Sequence, residues 1–439
     1  MQTPRTPRTR TATRPQRRVR SFVAVFVIAA SALFSASCAS SRYAAPKSLG
    51  RGDLAPLASG EKGYAILCGK LLSVDDKDDI WSDGMLLVRD KKIAYVGART
   101  AVPAGYTVID CGSSWATPGM VELHSHIHTG GWGDINDMVM PVNPEFRAEA
   151  GMRPSNADIR RACAGGVTTL YGIPGSGTSM GGFGLLYKSK TNATFDEAVV
   201  QPVAGMKIAQ AYNPERRAGD LGATRAGLYW MLEDINGKAL GAMREGRHDP
   251  ALANLEKVHR REIPVLIHCA GSDSFPAAAR MWKGLYNTRC ILSHGCFDAH
   301  ATAPYEVEMQ VPINAGPRTM DYFTTHDGAI TGTVEKYLEA GAKDVSLNTD
   351  SPVMPEEELF LQGAVSAHLG ADPYTMLRAC TIHPARNFGI DKRVGSLEPG
   401  KDADIVMRTG SPLDPRARVE LVLIDGEIQY DRQRDGQWF

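Results

Sequence analysis

The sequence has little of several features that mark particular protein classes. Its 439 residues carry 49 Lys and Arg against 49 Asp and Glu, so no excess of positive charge indicates a nucleic-acid-binding protein. None of the 8 Cys forms a CxxC pair, which argues against the usual structural zinc motifs, and their spacing shows no disulfide framework. Hydrophobic residues make up 43% and charged residues 22%, which excludes a disordered or polytopic membrane chain and indicates a soluble globular protein.

The absence of net charge conceals an uneven distribution. The first twenty residues carry seven Arg and no acid, and residues 21–37 carry no charge at all. A basic start before a short apolar run is typical of a secretory signal, and the run is shorter than the ~20 residues of a membrane span. We therefore predict a signal peptide over residues 1–37 and export to the periplasm or cell envelope. The small residues before Cys38 resemble a bacterial lipoprotein signal, so membrane attachment through a lipidated Cys38, a cleaved soluble form and an uncleaved anchor all stay open.

Two segments near the ends of the chain have the composition of β-strands. Residues 39–61 are small and polar and are predicted to be a linker. Strand-like runs fill residues 62–115 and return in 395–435, where Asp425 and Gly426 have the composition of a two-residue hairpin turn. We predict that the two segments combine into one composite β-sandwich.

Residues 116–394 alternate apolar runs with helical patterns. The predicted strands cover 120–123, 167–173, 184–187, 203–208, 265–267, 290–292, 308–313 and 345–348. Eight strands separated by helices over roughly 250 residues are typical of a (β/α)8 TIM barrel, with an open doubly wound sheet as the alternative. Helix starts are predicted at Ser155 with Asp158, as a capping box, and at Asp372 before Pro373.

Five polar residues follow the predicted strands at equivalent ends. His124 and His126 are two residues apart, so they face the same side while the strand continues. His268, His294 and Asp350 each close a separate apolar run. Barrel enzymes carry their sites at these strand ends, and imidazole and carboxylate groups are common zinc ligands. A purely structural role would require a partner for each of these buried groups, so we predict a divalent metal centre.

With these residues, the sequence resembles the metal-dependent amidohydrolase superfamily over residues 62–430. The resemblance rests on PGMVELHSH at 118–126, His268, His294, NTDSP at 348–352 and GSLEPGKDADIV at 395–406. It points to the imidazolonepropionase-like branch, which also holds exported dipeptidase-like members. Glu122 departs from the pattern, because the family usually has Asp two places before the first His.

The resemblance implies a role for each of the five residues. His124 and His126 would be metal ligands on the first strand, His268 on the fifth, His294 on the sixth and Asp350 on the eighth. The cofactor would be zinc, as one or two ions. Asp350 would act as general acid/base for a metal-activated water, and His294 would also be catalytic, by stabilising the oxyanion.

The number of metal ions depends on a lysine. Two-metal members of the superfamily bridge their ions with a carbamylated Lys on the fourth strand. Strand order makes Lys207 the first candidate and Lys188 the second, and the site would be mononuclear if neither serves.

The expected function is that of an exported amidohydrolase, which cleaves a C–N bond of a small molecule such as an amide, a cyclic amide or a dipeptide. One alternative is a deaminase of the same superfamily, although the strand-five Glu of that chemistry is not found. The other alternative is a non-catalytic binding protein. The complete set of predicted metal ligands argues against it. A homo-oligomer stays open. Residues 129–154 with Trp132 are predicted to form a lid and 174–184 a loop near substrate. Arg318, His326 and His383 are weaker candidates for substrate contact.

Overall fold

The structure is a computed structural model that describes residues 48–131, 133, 135–137, 139–216, 224–321 and 328–439. The predicted signal, Cys38 and residues 39–47 of the predicted linker lie outside the described residues, as do Trp132 and His326. Among the described helices, none combines the length and the apolar composition needed to cross a membrane.

The described strands make up two large sheets and one two-stranded sheet, which pairs Met320–Asp321 with Thr331–Gly332. They are β1 (Gly50–Gly52), β2 (Gly63–Leu72), β3 (Ile80–Arg89), β4 (Lys92–Ala98), β5 (Thr107–Asp110), β6 (Trp115–Pro118), β7 (Met120–Ser125), β8 (Val167–Gly172), β9 (Met180–Lys188), β10 (Val199–Ala209), β11 (Val265–Cys269), β12 (Cys290–His294), β13 (Ile313–Ala315), β14 (Met320–Asp321), β15 (Thr331–Gly332), β16 (Ser346–Leu347), β17 (Ile405–Arg408), β18 (Val419–Ile424) and β19 (Glu427–Asp431).

Helices flank the central sheet. They are α1 (Ala157–Gly165), α2 (Phe195–Ala198), α3 (Arg225–Glu245), α4 (Ala253–His259), α5 (Phe275–Ala279), α6 (Ala303–Glu308), α7 (Thr333–Glu339), α8 (Leu359–His368), α9 (Pro373–Ala379), α10 (Ile382–Phe388) and α11 (Arg432–Asp435). Short 3-10 segments include Ile127–Thr129, Ala148–Gly151 and Glu356–Glu358.

The central sheet has eight strands in the order β16-β13-β12-β11-β10-β9-β8-β7. Between its two ends, β7 and β16, the sheet closes through an isolated parallel bridge of Ser125 with Ser351, and the His126 N–H donates to the Ser351 carbonyl at 2.9 Å. The predicted (β/α)8 barrel with an extra sheet unit is therefore confirmed.

The barrel does not consist of eight parallel strands as predicted, because its third strand is reversed. β9 is antiparallel to both β8 and β10, whereas the other neighbouring pairs are parallel. β8 ends at Gly172 and β9 begins at Met180, so only a short connection joins them. A parallel crossover needs a dozen or more residues, and this connection allows only a reversal of direction.

The predicted seventh strand also begins too early. Residues up to Glu308 belong to α6, and the strand is Ile313–Ala315. Gln310 lies between them with φ of 55°, and the Val311 N–H donates to the Glu306 carbonyl. The left-handed residue ends the helix and turns the chain before the strand starts.

The second sheet joins both ends of the described chain. Its order is β1-β4-β3-β2-β6-β17-β18-β19, and β5 pairs with β2. β17 runs antiparallel to β6, which places the C-terminal strands directly beside the segment that leads into the barrel. Asp425 and Gly426 form the predicted hairpin turn between β18 and β19, with φ of 50° and 73°.

The two predicted helix starts have different outcomes. Asp372 caps α9, since its carboxylate accepts the Thr375 N–H at 2.9 Å, as predicted. The capping box at Ser155 is wrong. Asn156 caps α1 by accepting the N–H groups of Asp158 and Ile159, whereas the Ser155 hydroxyl accepts the Ala193 N–H at 2.7 Å.

Strand β7 leads into the first two site histidines. Val121 and Leu123 pack in one apolar cluster with Ala385 and Phe388 of α10. The ladder of β7 with β8 is irregular between Glu122 and Ser125, so strict alternation does not hold there. His124 Nδ1 lies 2.7 Å from Ser293 Oγ of β12, two residues after Ile291 of that cluster.

Candidate metal centre

All five predicted ligands meet at one end of the barrel. His124 lies on β7, His268 on β11 and His294 on β12, while Asp350 follows β16. Two overlapping groups form, His124 with His268 and His294, and His124 with His126 and Asp350, and within each group the ligand atoms lie within 4.8 Å of one another. Strand topology thus brings together residues that are up to 226 positions apart.

Asp350 lies at the open side of the cluster. One of its carboxylate oxygens, Oδ1, is 3.2 Å from His126 Nε2 and 3.3 Å from His124 Nε2. The Asp350 side chain is 17% exposed, whereas that of His124 is fully buried. The rings of His124 and His268 each lie 4.4 Å from the ring of His294, measured between centroids.

Hydrogen bonds to backbone carbonyls fix two of the imidazoles. His126 donates from Nδ1 to the Ile173 carbonyl at 2.9 Å, and His294 donates from Nδ1 to the Gly316 carbonyl at 3.0 Å. A carbonyl only accepts, so Nδ1 of each ring carries a proton, and in a neutral ring Nε2 then keeps a lone pair. His294 Nε2 is buried without a hydrogen-bond partner among the described residues, which is the state of a nitrogen prepared to bind a metal.

The electrostatics fit a divalent cation. Burial and the neighbouring His294 lower the pKa of His124 well below its usual value, and burial also lowers the pKa of His294. Burial alone would raise the pKa of Asp350, but His294 and His126 hold it below its ordinary value. Neutral imidazoles beside an ionised carboxylate are the donor set that zinc and similar ions bind.

Of the two candidate lysines, only Lys207 is at this end of the barrel. It is buried on β10, and its ammonium group donates to Ser176 Oγ at 2.8 Å and to the Pro174 carbonyl at 3.4 Å. Burial lowers its pKa to about 7, although Asp350 acts in the opposite direction.

Lys188, the second candidate for the metal-bridging lysine, does not lie at the centre. It is the last residue of the reversed strand β9, so it lies at the other end of the barrel from the histidines. Its Nζ is buried among three carboxylates, 2.5 Å from Asp404, 3.1 Å from Asp402 and 3.3 Å from Asp425.

Two buried carboxyl groups adjoin the centre, and sequence reasoning missed their arrangement. Burial raises the pKa of Glu122 to about 8, despite hydrogen bonds from the backbone of His124 and Thr349. Burial and Glu122 raise the pKa of Glu356 well above its usual value. Glu122 could have been singled out in the sequence, because it departs from the family pattern. Glu356 could not, because it stands in a run of three Glu that has the composition of a solvent-exposed helix start.

The backbone is strained at two of the predicted ligands. His294 has φ of 84° and Asp350 has φ of 50°, a region that residues other than Gly seldom adopt. Such strain persists where surrounding contacts enforce it, and it clusters at functional sites.

The weaker sequence candidates have different outcomes, and Ser176 and Pro174 of the predicted substrate loop contact Lys207. Arg318 is exposed, and residues 180–184 of the predicted substrate loop belong to β9 instead. Gly182 permits a close approach there, because a Cβ at this position would lie 2.6 Å from the Phe146 carbonyl oxygen of the predicted lid. His128 is buried and lines a cavity of about 550 Å³ beneath that segment.

Comparison with known proteins agrees with this geometry. The sequence model of the Amidohydrolase family matches residues 115–429. Amidohydrolase tasK of Hapsidospora irregularis is 23% identical over 423 residues, which cover 80% of this chain and 40% of tasK, so the chain spans less than half of that relative. An imidazolonepropionase of Thermoplasma acidophilum is 23% identical over 426 residues, which cover 88% of this chain and 97% of that protein.

A solved structure shows the same architecture. The amidohydrolase from Thermotoga maritima is 29% identical and superposes with a TM-score of 0.76, over 84% of this chain and 100% of that chain. Members of the family generally bind a divalent metal. With a family match over more than half of its length and the ligand geometry described above, the chain belongs to the amidohydrolase family and is a hydrolase that acts on carbon–nitrogen bonds.

Proposed function

We propose that the protein is an exported, metal-dependent amidohydrolase that cleaves the C–N bond of a small amide. The substrate classes are a dipeptide, an N-acylated amino acid or a cyclic amide. The observation that carries the proposal is the convergence of four imidazoles and one carboxylate from four strands on one site.

The residues that would hold the metal follow from the donor atoms. His124, His126, His268, His294 and Asp350 are the ligands, and Lys207 is the residue that would bridge a second ion. When bound, a divalent ion such as zinc lowers the pKa of a coordinated water and polarises the substrate carbonyl.

Asp350 is the proton carrier of this proposal. Its neighbours keep the carboxylate ionised, so it can accept a proton from the attacking water. Its partial exposure at the mouth of the cluster lets the same carboxyl group pass that proton to the leaving nitrogen.

His294 is proposed to act chiefly as a ligand. With its proton held on Nδ1 by the Gly316 carbonyl, Nε2 offers a lone pair and not an N–H. Stabilisation of an oxyanion by His294 would require the proton to move to Nε2.

Amide hydrolysis is preferred over deamination within the same family. Strand β11, Val265–Cys269, carries His268 but no carboxylate, so the acid that deaminases use on this strand is missing from it. We therefore propose that the protein cleaves an amide and releases an amine. The competing reaction, deamination, would release ammonia from an amidine.

Export forms the second half of the proposal. The seven Arg before the uncharged run at 21–37 and the Cys38 that follows it support secretion and attachment to the cell envelope. The substrate would then be met outside the cytoplasm.

The test is metal analysis followed by a substrate screen. Purified protein is expected to contain one or two equivalents of a divalent metal and to lose activity on chelation. Dipeptides, N-acyl amino acids and cyclic ureides are screened for amide cleavage, and aminopurines for ammonia release. A His124→Ala/His126→Ala variant is the inactive control. Full activity in protein that holds no metal would refute the proposal.

A further inference from the structure

The barrel closes at a seam between its first and last strands, and this seam lies inside the candidate centre. β7 and β16 share no continuous ladder, and their backbones meet through the Ser125 and Ser351 bridge and the His126 N–H bond to Ser351. His124 and His126 stand on one side of the seam and Asp350 on the other. The distances between these ligands therefore depend on how the seam is held.

Glu122 holds the seam with its side chain. One carboxylate oxygen, Oε1, accepts the His124 N–H at 2.7 Å. The other, Oε2, accepts the N–H of Thr349 at 2.8 Å and its hydroxyl at 3.0 Å. One fully buried carboxylate thus ties the backbone of a first-strand ligand to the residue that precedes Asp350.

Glu356 also holds the seam, from its other side. It is buried, and its Oε2 accepts the Ser125 hydroxyl at 2.6 Å. Ser125 is the residue of β7 that bridges to Ser351, and Glu356 follows Asp350 on the last-strand side of the seam. This hydrogen bond therefore ties the first strand to the segment that carries Asp350.

We infer that the carboxyl groups of Glu122 and Glu356 clamp the seam through two separate contacts, and that both are positioning residues that set the spacing between the HxH ligands and Asp350. This inference rests on the proposed metal centre. The clamp acts through the backbone of His124 and Thr349 and through the side chain of Ser125.

The hydrogen-bond directions separate this role from simple packing. Gln at position 356 keeps a carbonyl oxygen that accepts the Ser125 hydroxyl, so it preserves the clamp. Met at 356 has a similar length without that oxygen. Gln at 122 turns an NH2 group toward a backbone N–H, so it breaks the clamp although it is almost isosteric.

The experiment compares Glu356→Gln, Glu356→Met and Glu122→Gln after loading with Co²⁺. Glu357→Gln is the matched control, because Glu357 is the next residue but pairs with Arg161 away from the seam. The readouts are the visible absorption spectrum of bound Co²⁺, its dissociation constant by chelator competition, kcat and KM on the best substrate, and urea unfolding.

We expect Glu356→Gln and Glu357→Gln to match the wild type within about threefold in every binding and kinetic readout. Glu356→Met and Glu122→Gln should bind Co²⁺ about 10- to 100-fold more weakly, with an altered spectrum and a loss in kcat that exceeds any change in KM. A folded Glu356→Met protein with the wild-type spectrum and affinity would overturn the inference, and so would a Glu356→Gln protein as impaired as Glu356→Met. If Glu356→Met does not fold, the comparison of Glu122→Gln with Glu356→Gln tests the inference by the same criteria. A wild-type protein that binds no Co²⁺ would refute the proposed function instead.

Discussion

At the residue scale, the centre depends on which nitrogen of each imidazole carries the proton. The carbonyls of Ile173 and Gly316 hold the protons of His126 and His294 on Nδ1 and direct Nε2 inward. Ser293 Oγ lies 2.7 Å from His124 Nδ1 and accepts a further hydrogen bond from Asn314. Backbone and hydroxyl partners therefore prepare the donor atoms before any metal binds, which reduces the cost of ordering the site on binding.

Replacement of Asp350 tests the proton carrier. Asp350→Asn should retain at least one equivalent of metal, because the histidine ligands remain, but lower kcat by about 100- to 10,000-fold, since the amide neither accepts nor returns a proton. Metal analysis and steady-state kinetics measure the two effects. Asp344→Asn, which changes an aspartate near His383 away from the centre, is the control. Turnover within tenfold of the wild type would contradict the assigned role.

Replacement of Lys207 tests the number of metal ions. With a pKa of about 7, much of this buried amine is neutral at physiological pH and can attack CO2 to form a carbamate. We expect metal-free wild type to bind two equivalents when bicarbonate is present and Lys207→Met to bind one under either condition. The matched control is Lys190→Met, since Lys190 pairs with Asp425 instead. A wild type that holds one equivalent with or without bicarbonate would show a mononuclear site.

At the element scale, the sequence predicted where the strands lie better than which way they run. Each of the eight predicted barrel strands falls on or beside an observed strand, because buried strands are continuous apolar runs. Such a run carries no mark of direction, so the reversal of β9 could not be predicted from it, and Lys188 was placed at the wrong end. Glu356 was missed for a related reason. Its burial depends on Ser125, 231 residues away, and no local pattern reports a contact of that separation.

The reversal of β9 has a testable consequence for stability. Lys188→Met would leave Asp402, Asp404 and Asp425 without their shared buried cation, and breaking a buried ion pair in this way costs about 3–5 kcal/mol. Urea unfolding measures the loss, and the metal content should stay unchanged. Lys92→Met is the control, because Lys92 also pairs with Asp402 but is 51% exposed, so about 1 kcal/mol or less is expected.

The pH dependence of this cluster follows from the same pairs. Burial opposes ionisation of Asp402, but Lys188 and Lys92 lower its pKa from 3.8 to about 2, so its stabilising contribution is present above pH ~4 and is lost as the pH falls toward ~2. Asp425 acts in the same direction, whereas burial raises the pKa of Asp404, which opposes them. The unfolding free energy should therefore fall over this interval, and less steeply in Lys188→Met than in the wild type. Equal slopes would show that Lys188 does not control these carboxylates.

At the scale of the whole molecule, the chain supports its barrel from both ends. β17 pairs with β6, which leads directly into the HxH strand β7, and the Lys188 cluster joins β9 to Asp402, Asp404 and Asp425 of the C-terminal region. The strand-like runs and turn residues predicted two β segments that combine into one sandwich. The register of β17 on β6 required the structure, since pairing partners almost 290 residues apart leave no local signal in either strand.

The last prediction concerns the part of the chain that precedes the described residues. If residues 1–37 are a signal and Cys38 receives a lipid, the mature protein has 42 Lys and Arg against 49 Asp and Glu, and it partitions with membranes although no described helix could span one. Detergent-phase partitioning and intact mass should show a lipidated chain that begins at Cys38. Cys38→Ser should release the protein to the aqueous phase, whereas Cys111→Ser, which changes a partly buried thiol of the composite sheet, should leave partitioning unchanged. A mass that still includes residues 1–37 would contradict processing at this site, and a cleaved but unlipidated wild type would contradict the anchor alone, because export requires the signal and not the lipid.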